Sequence, residues 1–96
     1  MGKLTYAFAG PLWRHGSGWQ FISVPAQMSA EIRRLLQNEE EGWGRLKAVA
    51  QIGDTSWKTA IWFDTKQQTY LLPVKKEIRE KNKIENGQTV SVSLFL

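Results

Sequence analysis

The chain has 96 residues, 13 Lys and Arg against 9 Asp and Glu for a formal charge of +4, and no cysteine. That length predicts a single domain over residues 1–96, able to bury roughly 60–68% of its unfolded surface. The lack of cysteine excludes disulfides, thiolate chemistry and Cys-based zinc or iron–sulfur sites, and a hydrophobic fraction of 42% argues against disorder of the whole chain.

The opening residues Met1-Gly2-Lys3-Leu4 are not followed by the unbroken apolar stretch of a signal peptide. Gly2 resembles the start of a myristoylation signal, but Ala7 and Phe8 follow where Ser or Thr is wanted. No window approaches the ~20 apolar residues of a membrane helix. The expectation is a soluble, cytoplasmic protein.

Leu4, Tyr6 and Phe8 alternate with Thr5, Ala7 and Ala9, the period of a strand, and the pattern stops at Gly10-Pro11. Gly16-Ser17-Gly18 signals a turn. Residues 19–24 are aromatic and branched and predict a second strand, closed by Pro25. The period then becomes helical. Met28, Ile32, Leu35 and Leu36 fall on one face, with Ser29 as a candidate N-cap. Glu39-Glu40-Glu41-Gly42 predicts a solvated, frayed end, because carboxylates oppose the dipole there.

Leu46, Ala48, Ala50 and Ile52 alternate with Arg45, Lys47, Val49 and Gln51 in a third strand. Gly53-Asp54 turns the chain. A fourth strand places Trp57, Thr59, Ile61 and Phe63 on one face, and Lys58, Ala60 and Trp62 on the other. Asp64-Thr65-Lys66 turns again, and Tyr70, Leu72 and Val74 mark a fifth strand. Residues 75–83 predict a short charged helix with Ile78 as its apolar contact. After the Asn86-Gly87 turn, Val90, Val92, Leu94 and Leu96 alternate with Thr89, Ser91, Ser93 and Phe95 in a sixth strand.

A weak internal echo links the halves. Phe21-Ile22-Ser23-Val24-Pro25 precedes Glu31-Ile32-Arg33, and Tyr70-Leu71-Leu72-Pro73-Val74 precedes Glu77-Ile78-Arg79. Each unit is strand, helix, strand. The predicted fold is mainly β: a small six-stranded double-split β-barrel with two short helices and pseudo-twofold halves. Arg33 and Arg79, as matching residues, are expected to fix helix ends or strand edges.

The segment Leu72-Pro73-Val74-Lys75-Lys76-Glu77-Ile78-Arg79, followed by Ile84-Glu85-Asn86-Gly87-Gln88-Thr89-Val90, resembles the DUF1905 family, a domain of unknown function. The earlier aromatic strand, Val-Pro, helix and basic strand also fit, so the likeness covers nearly the whole chain. Gln88 stands where the family usually has Asp, and Asn82-Lys83 where it usually has Leu-Gly. The resemblance implies a double-split β-barrel, similar to the half-barrels of AbrB-type transcription factors. It brings no catalytic residue.

Candidate chemistry is sparse. The lone His15 lies in a predicted loop with no partner ligands, so neither a metal nor a cofactor is expected. Asp54 and Asp64 suit turns better than acid–base work. No nucleophilic triad or phosphate loop is present, and an enzyme is disfavoured. Exposed aromatics mark ligand sites, although in a small barrel they more often plug the open ends, the favoured reading here. Trp13, Trp19 and Trp62 are the ligand-binding candidates.

Arg45, Lys47, Lys58 and Trp62 share a face of the predicted hairpin. With Lys75, Lys76 and Arg79 they are the nucleic-acid-binding candidates. The leading functional expectation is a non-enzymatic ligand- or partner-binding module, a monomer or weak homodimer. The alternative is an AbrB-like DNA- or RNA-binding regulator. A third reading is a small enzyme with a pocket lined by Trp13, Trp19 and His15.

Overall fold

A computed structural model describes residues 4–16 and 18–96, without the side chain of Trp43. Gly2 and Ser17, which carried the myristoylation and turn readings, lie outside the described residues. Alternating burial organises six strands: β1 (Thr5–His15), β2 (Trp19–Ser23), β3 (Arg45–Ile52), β4 (Thr55–Asp64), β5 (Thr69–Pro73) and β6 (Thr89–Phe95). Two helices, α1 (Ala26–Leu36) and α2 (Lys76–Lys81), join them. The strands form a closed barrel in the order β1-β2-β5-β4-β3-β6, with antiparallel neighbours. The mainly β barrel expected from the alternation is the fold observed. No helix among the described residues is long and apolar enough to cross a membrane.

β1 does not stop at Gly10-Pro11. Its first part, through Pro11, pairs with β6, and residues 12–15 pair with β2. Proline has no N–H for a ladder, so it is tolerated where the strand changes partner. Hydrogen bonding resumes at once: Leu12 N–H donates to the Gln88 carbonyl at 2.9 Å, and Gly87 N–H donates to the Leu12 carbonyl at 2.7 Å.

The two halves meet where β2 lies against β5. Ile22 opposite Leu72 forms the centre of this pair. On either side, Val24 N–H donates to the Tyr70 carbonyl and Val74 N–H to the Gln20 carbonyl, each at 2.9 Å. Residues fifty positions apart therefore make the same bonds. The symmetry continues into the helices: Ser29 Oγ donates to the Val24 carbonyl, and Arg79 Nε to the Val74 carbonyl, both at 3.0 Å. The structural counterpart of Arg79 is thus Ser29, which corrects the Arg33–Arg79 match. Arg79 does fasten a strand edge as expected. Arg33 instead lies 3.9 Å over the centre of the Phe63 ring.

Ser29 is not an N-cap. Pro25 precedes the helix, and Ser29 is fully buried inside the first turn. Its Oγ also accepts from Tyr70 N–H at 3.0 Å, so one hydroxyl joins β2, α1 and β5. Leu35 is 47% exposed rather than on the core face, because the buried stripe of α1 runs through Ser29 and Ile32, with Met28 and Leu36 beside them.

Because β2 and β5 are antiparallel, α1 and α2 leave them at opposite ends of the barrel. Each sets one isoleucine into the core, Ile32 and Ile78. Contrary to expectation, Trp13, Trp19 and Trp62 do not plug the barrel, and the side chain of Trp43 lies outside the described residues. Trp57 does face inward and packs against the core, but Trp13, Trp19 and Trp62 occupy outward strand positions, next to buried Leu12, Gln20 and Ile61.

Lys83 explains one departure from the DUF1905 pattern. It sits at φ 54°, just past α2, and Ile84 N–H donates back to the Arg79 carbonyl at 2.9 Å. This is the left-handed closing position that favours glycine. Replacing Lys83 with Gly should raise stability by about 0.5–1 kcal/mol by relieving it. Ser29→Ala should lower stability by about 1–3 kcal/mol, since two buried backbone groups lose their partner. Urea unfolding of both variants checks the opposite signs.

Candidate functional site

The outer surface over the β2–β5 seam is aromatic. In register, Trp13 of β1 lies opposite Phe21 of β2, and Trp62 of β4 lies opposite Leu71 of β5. Phe21 and Leu71 are equivalent under the fifty-residue repeat, so Trp13 and Trp62 flank the seam as a matched pair. Trp13 is braced by its Nε1–H bond to Ser23 Oγ at 2.9 Å, and its ring centre lies 5.3 Å from that of Phe21. Trp19 breaks the symmetry. It stacks on Phe21 with 15° between the planes and is 65% exposed, whereas its counterpart, Thr69, is buried.

Trp19, Phe21, Trp62 and Leu71 enclose an apolar groove of about 260 Å³. Among the described residues, no polar side chain lines it. Two of the three tryptophan candidates thus meet in one groove, and Trp13 joins an adjoining depression with His15, Phe21, Leu71 and residues 64–67. Phe21 and Leu71 belong to both and were not singled out from sequence. Their strands carry apolar residues on each face, so alternation alone does not say which face turns outward.

The basic candidates divide into two groups. Arg45 lies opposite Trp62, Lys47 opposite Ala60, and Lys58 opposite Val49, so all share the outer face of the β3–β4 hairpin. They line a depression of about 500 Å³ with Val49, Phe95 and Leu96. Phe95, read from sequence on the same face as Thr89, Ser91 and Ser93, was not among the site candidates and is 37% exposed here. Arg45 reaches back over Trp62, 5.6 Å from its ring centre. Arg45 also pairs with Glu41, and Lys47 Nζ lies 3.8 Å from Glu41 Oε2. Among the described residues, Lys58 has no carboxylate within ion-pair distance.

Lys75 precedes α2 and Lys76 and Arg79 lie on it, and none of the three lines the depression that Arg45, Lys47 and Lys58 share. Lys76 lies 3.9 Å from Glu80, and Arg79 is bound to the Val74 carbonyl. His15 is the last residue of β1 rather than a loop residue, edge-on to Trp13 at 6.2 Å. Asp64 Oδ1 accepts from Lys66 N–H at 3.0 Å, the turn role expected of it. Among the described residues, no group of three or more His, Asp or Glu comes together to hold a metal.

In the acidic run after α1, Glu39 and Glu41 are exposed as expected, but Glu40 is not. The Glu40 side chain is only 10% exposed. It accepts a hydrogen bond from the hydroxyl of fully buried Tyr70 and lies 3.7 Å from Arg33 Nη1. Phe63 packs edge-on to Tyr70 at 5.0 Å beneath Arg33. Gly44, at φ 70°, lets the chain pass this cluster: a Cβ there would stand 3.0 Å from Phe63 Cβ. The cluster clamps the segment after α1 onto β4 and β5. Burial first, then the bond to Glu40, pushes the Tyr70 phenol well above its ordinary value near 10.

Comparison with known families gives one finding. The model of a family described as "Domain of unknown function (DUF1905)" matches residues 8–94. No curated protein matches the chain.

The Tyr70 clamp predicts an alkaline dependence. The native phenol holds its proton where the unfolded one loses it, so the stabilisation is complete below pH about 10 and declines as pH rises beyond it. Urea unfolding between pH 8 and pH 11 should show this loss, and Tyr70→Phe should show less of it. At neutral pH the same variant should cost about 1–3 kcal/mol by leaving Glu40 without its donor.

Proposed function

The chain belongs to the DUF1905 family, and on that premise we propose that it is a non-enzymatic binding module whose ligand sits in the groove of Trp19, Phe21, Trp62 and Leu71. The observation that carries this reading is Trp19, an indole 65% exposed and stacked on a second aromatic ring. The barrel is closed and its core cluster does not include Trp19, so folding does not call for an aromatic there. Exposed apolar concavities of this kind serve ligands or partners. In the same reading the protein acts in the cytoplasm, as a monomer or weak homodimer, and no side chain performs a covalent step.

One observation favours the second reading, an AbrB-like DNA- or RNA-binding regulator. Arg45, Lys47 and Lys58 converge on one depression. The contribution of Arg79 to such a surface is reduced, because its guanidinium already holds the Val74 carbonyl.

Titration of the isotope-labelled protein with free indole, followed by NMR, tests the groove. Shifts should centre on Trp19, Phe21, Trp62 and Leu71 and vanish in Trp19→Ala, whose fold should persist because the side chain is exposed. Shifts elsewhere, or none at millimolar indole, would overturn the reading.

A further inference from the structure

The aromatic groove and the cationic depression are neighbours on the outer face of the sheet. Trp62 is a wall of the first and lies opposite Arg45. Arg45, Lys47 and Lys58 then line the second. Alternate residues of a strand stand about 6.6 Å apart, so Arg45 and Lys47 carry positive charge at nearly the spacing of successive phosphates in an extended nucleic-acid strand. On the other side, the depression that holds Trp13 is lined by both Lys66 and Asp64, so the excess of positive charge borders the stacking surface on the Arg45 side.

The groove discriminates by its chemistry. Two indoles, a phenyl ring and a leucine accept a flat ring by stacking. A sugar would leave its hydroxyls without partners among the described residues, none of which brings a polar side chain to the groove. A proline-rich peptide suits aromatic grooves but carries no charge for a cationic rim. Flat rings joined by negative charges describe single-stranded nucleic acid. Duplex DNA keeps its bases stacked on one another and offers none to Trp19.

Resting on the binding-module reading, we propose that the groove stacks bases of single-stranded nucleic acid while Arg45, Lys47 and Lys58 hold its phosphates. With only apolar and aromatic side chains lining the groove among the described residues, binding is tolerant of sequence. Glu41 acts as an internal competitor. It pairs with Arg45 and approaches Lys47 in the free protein, and a phosphate takes over those cations.

The test is fluorescence anisotropy of an end-labelled oligothymidylate of about twelve nucleotides, with a duplex of equal length and polyglutamate as competitors. The oligothymidylate should bind at low salt, with a slope of log affinity against log salt near about −2 for three phosphate contacts. Trp19→Ala should weaken binding about tenfold to a hundredfold. Joint replacement of Lys47 and Lys58 by Glu should weaken it further and flatten the salt slope. Glu41→Gln should tighten it several-fold, an effect that loss of structure would not produce. Absence of binding, unchanged affinity in Trp19→Ala, or equal competition by polyglutamate or duplex would overturn the proposal. If indole still titrates the groove while the oligonucleotide does not bind, only this inference falls; if neither binds, the binding-module reading falls with it.

Discussion

The backbone pairing of β2 with β5 is the constraint on which the rest of the structure depends. These strands carry the buried pair Ile22 and Leu72 at their centre. Val24 and Val74 donate across the seam at 2.9 Å on either side. A buried amide left without a partner is costly, and a one-residue slip would turn every side chain to the opposite face. The register is therefore held by both hydrogen bonding and burial. Ser29 and Arg79 then bind the carbonyls of Val24 and Val74 and fix where each helix departs.

The seam also decides what the outside can do. With Ile22 and Leu72 inward, Phe21 and Leu71 face outward, and Trp13 and Trp62 are brought beside them by the neighbouring strands. A barrel built from two similar halves would give a symmetric surface. The departure from symmetry at Trp19 and Thr69 converts it into a one-sided groove. The β3–β4 hairpin sets Arg45 opposite Trp62, a wall of that groove, with Lys47 and Lys58 farther along the same outer face. Stacking surface and charge meet on β4, which carries both Trp62 and Lys58, and one closed sheet holds them in fixed relation.

How much of this was legible in the sequence depended on locality. The alternation Leu46, Ala48, Ala50, Ile52 reads correctly because all four residues are buried and the intervening ones are not. The shared face of Arg45, Lys47, Lys58 and Trp62 follows from one tight hairpin. β2 is harder, because Trp19 and Phe21 on one face compete with Ile22 and Val24 on the other, and pairing with β5 decides between them. The role of Ser29 rests on a bond to Tyr70, 41 residues away. Glu40 reads as solvated within its acidic run and becomes buried only when Tyr70, Arg33 and Phe63 converge on it. The Glu-Ile-Arg echo was real as sequence but out of structural register, since α1 is 11 residues long and α2 only 6.

Native-state hydrogen exchange measures the central claim most directly. If the β2–β5 seam holds the two halves together, the amides of Val24 and Val74 exchange only through global unfolding, with an opening free energy equal to that of urea denaturation. Exchange of these amides through a local opening, at clearly lower free energy than the amides of the β3–β4 hairpin, would contradict it.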